Sequence, residues 1–303
     1  MPRKRKPQAR RRAQAPTQDC LVAVISDTHG ASKLAPINPA TRLEDLSSHK
    51  PIVINPTAVS ELVWGYFGEE WPREVAQIAD GRPIHERHIG DVVQGNKHKE
   101  ELYATSPAHQ VEIARMALDP WLRLPNVRSV RFVAGTGGHE FEEGAGAQLL
   151  TAQVRSMYTK IGAVDSAYHY ADTIAGVRFD LSHHGPGSGR YSWSGNTAAR
   201  NYALDIMLAD ARDGLKMPDV IVRGHTHSPL LEAVYDDDLD HLAWMSVSPA
   251  LQYPNDYARK AGRSPGRFCF GVTLYDIRGG ALHGNPIRLW KTVDTRREVI
   301  TNG

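Results

Sequence analysis

Five short groups of residues carry side chains suited to holding hard or borderline metal ions: Ser26-Asp27-Thr28-His29-Gly30, Gly90-Asp91, Gly137-Gly138-His139-Glu140, Ser182-His183-His184-Gly185 and Gly224-His225-Thr226-His227. Imidazole and carboxylate together favour Mn²⁺, Fe or Zn²⁺ over Ca²⁺. A carboxylate and an imidazole two residues apart can both turn toward one ion if the strand ends between them. Two ions close together need a ligand with two free oxygens, and Asp91 is the natural bridge. A pair of ions roughly 3.5–4 Å apart lowers the pKa of a bound water and clamps the attacking and leaving oxygens of a displacement at phosphorus.

Such side chains are far apart in the chain, so something must gather them. Residues 21–25, 85–89, 127–134 and 219–223 read as strands, and each runs into one of these groups. In an open α/β sheet the carboxyl ends of the strands share one rim, where residues distant in sequence meet. Between the strands lie helical patterns. One has Ser106 as N-cap, Pro107 in its first turn and Val111, Ala114 and Leu118 on one face before Pro120. Another spans about 197–214, with Ala203, Leu204, Met207, Leu208 and Ala211 as its apolar face. The C-terminal third, with strand-like runs at 230–234, 242–247, 267–275 and 287–290, calls for a second sheet packed on the first. The alternation predicts one α/β domain over residues 19–303. The stretch 31–83 is long for a connection and could hold an inserted cap. Its alternative is an amphipathic helix packing Trp64, Tyr66, Phe67 and Trp71 into the core.

Composition narrows the class. With 303 residues and 41% hydrophobic content the chain can bury a sizeable core. It has no apolar run of membrane-spanning length and no secretory pattern, so no membrane partner and a cytoplasmic location are expected. Two cysteines, Cys20 and Cys269, leave no material for a disulfide framework or a thiolate zinc site, and both read as core thiols. The net charge of +2 conceals an asymmetry: residues 1–12 carry seven basic side chains and no acid, which leaves the remainder at −5. Residues 1–18 are predicted to be a disordered basic tail. It is either an arm that contacts nucleic acid through counterion release or a solvated segment that aids solubility.

The motif series resembles the calcineurin-like metallophosphoesterases, whose pattern is Asp-x-His, Gly-Asp, Gly-Asn-His-Asp/Glu, a lone His and Gly-His-x-His. The match runs over about residues 21–230 in the family's order. The resemblance implies a four-layer αββα sandwich, two mixed sheets packed together and flanked by helices. It implies two divalent ions, Mn²⁺ first, with Fe or Zn²⁺ as alternatives. Asp27, His29 and His227 would hold one ion, His225 and either His183 or His184 the other, and Asp91 would bridge them. His139 would be the general acid, oriented by Glu140. The family's Asn ligand is replaced by Gly138, which weakens the second site unless Thr136, Asn96 or a water completes it.

Around this set, His98 and Asn96 are candidate substrate contacts, with Lys97 and Lys99 beside them as phosphate binders or a solvated basic loop. In the glycine-rich loop after His184, Arg190 could clamp a phosphate and Tyr191 or Trp193 could stack on a base. His49, His85, His88, His109, His169, His241 and His283 lack the strand-end and glycine context and read as structural or surface residues. The expected activity is hydrolysis of a phosphomonoester or phosphodiester, with a nucleotide or nucleic acid favoured. The alternative is a nucleic-acid-binding or scaffold protein that keeps a degenerate metal site.

Overall fold

The computed structural model describes residues 18–45, 47–186, 195–254 and 267–294. The basic stretch 1–12 and the loop residues Arg190, Tyr191 and Trp193 lie outside the described residues.

In chain order the strands are β1 (Cys20–Ile25), β2 (Leu43–Glu44), β3 (Pro51–Ile52), β4 (Ile84–His88), β5 (Val127–Val133), β6 (Ala163–Ala167), β7 (His169–Ile174), β8 (Val177–Ser182), β9 (Val220–Arg223), β10 (Leu230–Asp236), β11 (His241–Val247), β12 (Arg267–Arg278), β13 (Ala281–Leu282) and β14 (Ile287–Asp294). The helices are α1 (Ala58–Trp64), α2 (Trp71–Ala79), α3 (Pro107–Leu122), α4 (Ala145–Met157) and α5 (Gly195–Arg212). β1 is apolar at every position, so it must be covered on both faces, and all six residues are buried. Leu21, Ala23 and Ile25 point into one core with Phe67, Trp71, Trp121 and Leu150 from the helices. Cys20, Val22 and Val24 point the other way, into a core with Phe179, Leu181, Val222 and Tyr275.

Those two faces define the layers. The first sheet runs β13-β12-β1-β4-β5-β6, with β14 also paired to β12, and its centre β1-β4-β5-β6 is parallel. The second runs β10-β11-β9-β8-β7 and packs against it. Helix α5 covers the second sheet through Ala199, Ala203 and Met207, a four-residue spacing that places Leu208 toward solvent, 42% exposed. The molecule is thus an α/β fold of two packed mixed sheets flanked by helices. The strand-rich C-terminal third is shared out, β10 and β11 joining the second sheet and β12–β14 the first.

Two helices depart from simple expectation for identifiable reasons. Between α1 and α2 the helix widens to a π turn at Gly65–Glu70, where the Trp71 N–H bonds to the Tyr66 carbonyl five residues back. Pro72 cannot donate to the carbonyl four residues before it, and the wider turn absorbs that loss. Helix α3 continues through Pro120 to Leu122. The Met116 carbonyl, which Pro120 cannot serve, accepts instead from the Asn38 amide at 2.9 Å. Phe67 and Trp71, in the segment after Ala31, are wholly buried.

β4 reads as polar, Ile-His-Glu-Arg-His, yet it lies between β1 and β5. Arg87 meets that burial with an ion pair to Asp172 on β7 at 2.7 Å, which ties the two sheets together. Glu86 faces the helix-side core with Oε1 unbonded, and burial raises its carboxyl from 4.5 to about 8. Its folded pKa lies above the unfolded value. The stability linked to its proton is therefore complete below about 4.5 and is lost as pH rises through about 8. Urea unfolding of wild type and Glu86→Gln should show the variant gaining a few kcal/mol relative to wild type between pH 5 and pH 8, at roughly 1.4 kcal/mol for each pH unit crossed. A constant difference between them would show that Glu86 keeps its charge in the fold.

Candidate metal centre

The segments that follow β1, β4, β5, β8 and β9 meet at one rim, and their backbones continue to pair beyond the strands. Asp27 N–H bonds to the Gly90 carbonyl, His29 N–H to Asp91, Gly224 N–H to His183 and Leu251 N–H to Asp27, all at 2.9–3.1 Å. Asp27, His29, Asp91, His225 and His227 all have positive φ, between 44° and 70°. This conformation is uncommon for non-glycine residues and costs on the order of 1–3 kcal/mol each. It turns alternate side chains of Asp27-Thr28-His29 and His225-Thr226-His227 to the same side. The glycines between allow close approach: a Cβ on Gly90 would lie 2.5 Å from His183 Nδ1, and one on Gly224 would lie 2.8 Å from Asp27 Oδ2.

The two carboxylates are held in the same way. Asp91 Oδ1 accepts the Thr136 N–H at 2.7 Å and the Thr136 hydroxyl at 2.9 Å, while Oδ2 faces His183 Nε2 at 3.1 Å and His29 Nε2 at 3.9 Å. Asp27 Oδ2 accepts the Ser26 hydroxyl and the His225 N–H, while Oδ1 faces His227 Nε2 at 3.2 Å and His29 Nε2 at 3.8 Å. One oxygen of each is thus fixed by protein donors and the other points at imidazole nitrogens. Burial opposes both charges. The His227 and His29 imidazoles that face Asp27 nevertheless hold its carboxyl well below its usual range, and His183 does the same for Asp91.

Backbone carbonyls set the ring orientations. His183 places Nδ1 2.6 Å from the Ile89 carbonyl, and His139 places Nδ1 2.8 Å from the Gln94 carbonyl. A carbonyl only accepts, so Nδ1 carries hydrogen in both rings and Nε2 is turned inward. Burial lowers His29 to about 4, and lowers His225, so these rings are neutral and offer lone pairs. His183 differs. Burial disfavours its charge, but the Asp91 and Asp27 carboxylates outweigh that and raise it to about 9.

The donors fall into three overlapping groups, with ligand atoms within 4.8 Å of one another in each: Asp27, His29 and His227; His29, Asp91 and His139; and Asp91, His183 and His225. His184 belongs to none of them and is exposed, although its ring lies edge-on to His183 and His225. The alternation of buried Val177, Phe179 and Leu181 along β8, carried one step further, selects His183. Asn96 accepts from Gln110 at 3.0 Å, and His98 precedes a short 3₁₀ turn; neither is in a donor group. The Thr136 hydroxyl is engaged with Asp91 Oδ1, and a Cβ on Gly138 would meet nothing within 4 Å.

Glu140 does something other than orient His139, which bonds to Gln94. Fully buried, it accepts the Val92 N–H at 3.0 Å and the Ala147 N–H in the first turn of α4, joining the Asp91 loop to that helix. Burial raises its carboxyl to about 7. His88, also buried, bonds through Nε2 to Thr28, between Asp27 and His29. These supports were unreadable in one dimension, since Glu140 and His88 act through contacts with residues 48 and 60 positions away.

The donor set suits a cation. Asp27 Oδ1 is buried without a hydrogen-bond partner, and His29 Nε2 lies only 3.2 Å from His227 Nε2. Buried acceptors left so cost about 1–3 kcal/mol each, more when charged, unless positive charge joins them.

No protein-family profile matches the chain, and no curated protein matches it in sequence. Among solved structures, a metallophosphoesterase from Sphaerobacter thermophilus is similar with a TM-score of 0.33 and 14% identity, over 89% of this chain and 88% of that one. The sulfate thiohydrolase SoxB of Thermus thermophilus is similar with a TM-score of 0.35 and 10% identity, over 94% of this chain and 58% of that one. The donor atoms, not these likenesses, define the centre.

An ion that binds only the folded chain adds about 2.7 kcal/mol at a hundred times its Kd, so saturating Mn²⁺ should raise the melting temperature by roughly 5 °C. Asp27→Asn sets an amide opposite His227 Nε2 and should leave the metal-free melting temperature within about 1 °C. The same substitution should remove at least half of the Mn²⁺ increment. Calorimetry showing an unchanged increment would exclude Asp27 as a ligand.

Proposed function

We propose that the chain is a metal-dependent phosphoesterase, hydrolysing a phosphomonoester or phosphodiester, with a nucleotide or nucleic acid as substrate. The observation that carries this is the pair of buried carboxylates, each fixed by one oxygen and offering the other to imidazoles, in donor groups linked through His29 and Asp91. Asp27, His29 and His227 would hold one divalent ion and His183 and His225 the other, with Asp91 shared by both. Such ions, with Mn²⁺ the first to assay, supply Lewis acidity toward a phosphoryl oxygen and acidify water.

The chain's own groups do the rest. Thr136 and Ser26 keep the carboxylates from rotating, so the free oxygens are already aimed before substrate arrives. His139 borders Asp91 and His29 with Nε2 inward and Nδ1 on the Gln94 carbonyl. From there Nε2 can pass a proton to the leaving oxygen. The seven basic residues of 1–12 favour a phosphate-rich partner.

Asp91→Asn removes the shared charge while keeping an acceptor for Thr136. Its kcat/KM on a chromogenic phosphodiester with Mn²⁺ should fall by more than about a hundredfold, since losing even a ligand's outer partner costs 10–100-fold. Activity at the wild-type level would sink the proposal.

A further inference from the structure

Beside the Asp91, His183 and His225 group lies a cavity of about 360 Å³, lined by His183, His184, Gly137, Glu143, Gly144 and Tyr168 among others. Three features set it apart from a simple phosphate pocket. The first is Tyr168, the single residue between β6 and β7 where the chain crosses from one sheet to the other. Tyr168 is 60% exposed, and its ring has no hydrogen-bond or stacking partner among the described residues.

The second is the backbone that presents Glu143. Phe141, Glu142 and Glu143 have φ of 54°, 68° and 47°, followed by Gly144 at 70°. Successive left-handed residues cost roughly 1–2 kcal/mol each for L-amino acids. The Glu140 clamp, the Glu142 N–H to Gly137 carbonyl bond and the Ala145 N–H to Glu142 carbonyl bond hold this turn in place. Strain maintained at a cavity wall marks a place where geometry is used. The third is charge: among the described residues the lining includes one acid, Glu143, and no Lys or Arg.

An exposed ring, glycine walls and one carboxylate fit a planar heterocycle that carries N–H donors. We propose that this cavity is a nucleobase subsite, in which Tyr168 stacks on the base and Glu143 accepts from its N–H edge. Guanine, whose N1–H and N2–H are adjacent, matches the two oxygens of one carboxylate; uracil sets carbonyls beside its single N–H. The proposal rests on the phosphoester reading, which places the phosphate beside His183, and narrows the substrate to guanine nucleotides.

The test is calorimetric binding to the full chain in Mn²⁺ of phosphonates in which carbon replaces the bridging ester oxygen. The set comprises guanosine, inosine, uridine and base-free ribose forms. Stacking alone should make the guanosine form bind roughly tenfold or more tightly than the base-free one. Loss of one N–H to a carboxylate should cost the inosine form about tenfold relative to guanosine. Tyr168→Ala should bring the base-dependent gain to within a few-fold of unity, and Glu143→Gln should abolish the guanosine-over-inosine difference. Both side chains are exposed, so both variants should fold. Equal affinities across the set, no binding by any member, a preference for uridine, or gains that survive both substitutions would overturn the subsite. A base-dependent gain in a protein that hydrolyses no phosphoester would uphold the subsite and count against the activity alone.

Discussion

Two aspartates, each tethered by one oxygen, are the constraint on which the centre depends. Asp27 and Asp91 are buried as carboxylates, and burial alone would drive protons onto them. Hydroxyl and backbone donors satisfy Oδ2 of one and Oδ1 of the other, which keeps both carboxylates in place. The remaining oxygens face imidazole nitrogens, Asp27 Oδ1 toward His227 and Asp91 Oδ2 toward His183. A site with that composition has its geometry fixed before a cation enters, so little reorganisation is left for the binding step.

The fold is arranged around this requirement. Five donor residues sit in left-handed backbone at strand ends, a strain that only well-anchored surroundings can hold. The anchors are the buried parallel strands β1 and β4 and the cross-rim hydrogen bonds that continue their pairing. Glu140 extends the anchoring outward, fastening the loop of Asp91 to the first turn of α4, where helix N–H groups lack partners of their own. The ion pair of Arg87 with Asp172 fastens the second sheet, which carries His183 and His225, to the first.

What the sequence revealed follows from this division. The donor types stood out because Asp and His next to glycine at the end of an apolar run form a recognisable pattern, and residues 21–25 and 219–223 are such runs. β4 was also legible, although its polar residues gave no hint of how Arg87 and Glu86 would tolerate burial. Helix α3 was traced only to Pro120, because the Asn38 amide that replaces the missing donor comes from 78 residues away. For α5 the hydrophobic pattern placed Leu208 inward, whereas Ala199, four residues before Ala203, holds the packed position. Small residues can dominate a helix face that lies close to a sheet, and hydrophobicity alone does not rank them. The supporting roles of Glu140, Thr136 and His88 needed three-dimensional contact to appear.

The centre must also survive without an ion, and His183 shows how. Its Nδ1 is fixed on the Ile89 carbonyl, so a second proton can sit only on Nε2, facing Asp91. The carboxylates raise that proton's pKa to about 9, so the ion-free chain carries a positive charge on the very atom that would otherwise meet a cation. Burial lowers both His29 and His225, so these two imidazoles stay neutral. A proton therefore offsets part of the Asp91 charge in the folded chain, and a divalent ion bound there would have to displace it. Since Thr136 holds Asp91 through the other oxygen, that exchange can proceed without moving the carboxylate. Folding and ion binding would then draw on different atoms of one side chain, so that a buried acid could serve both.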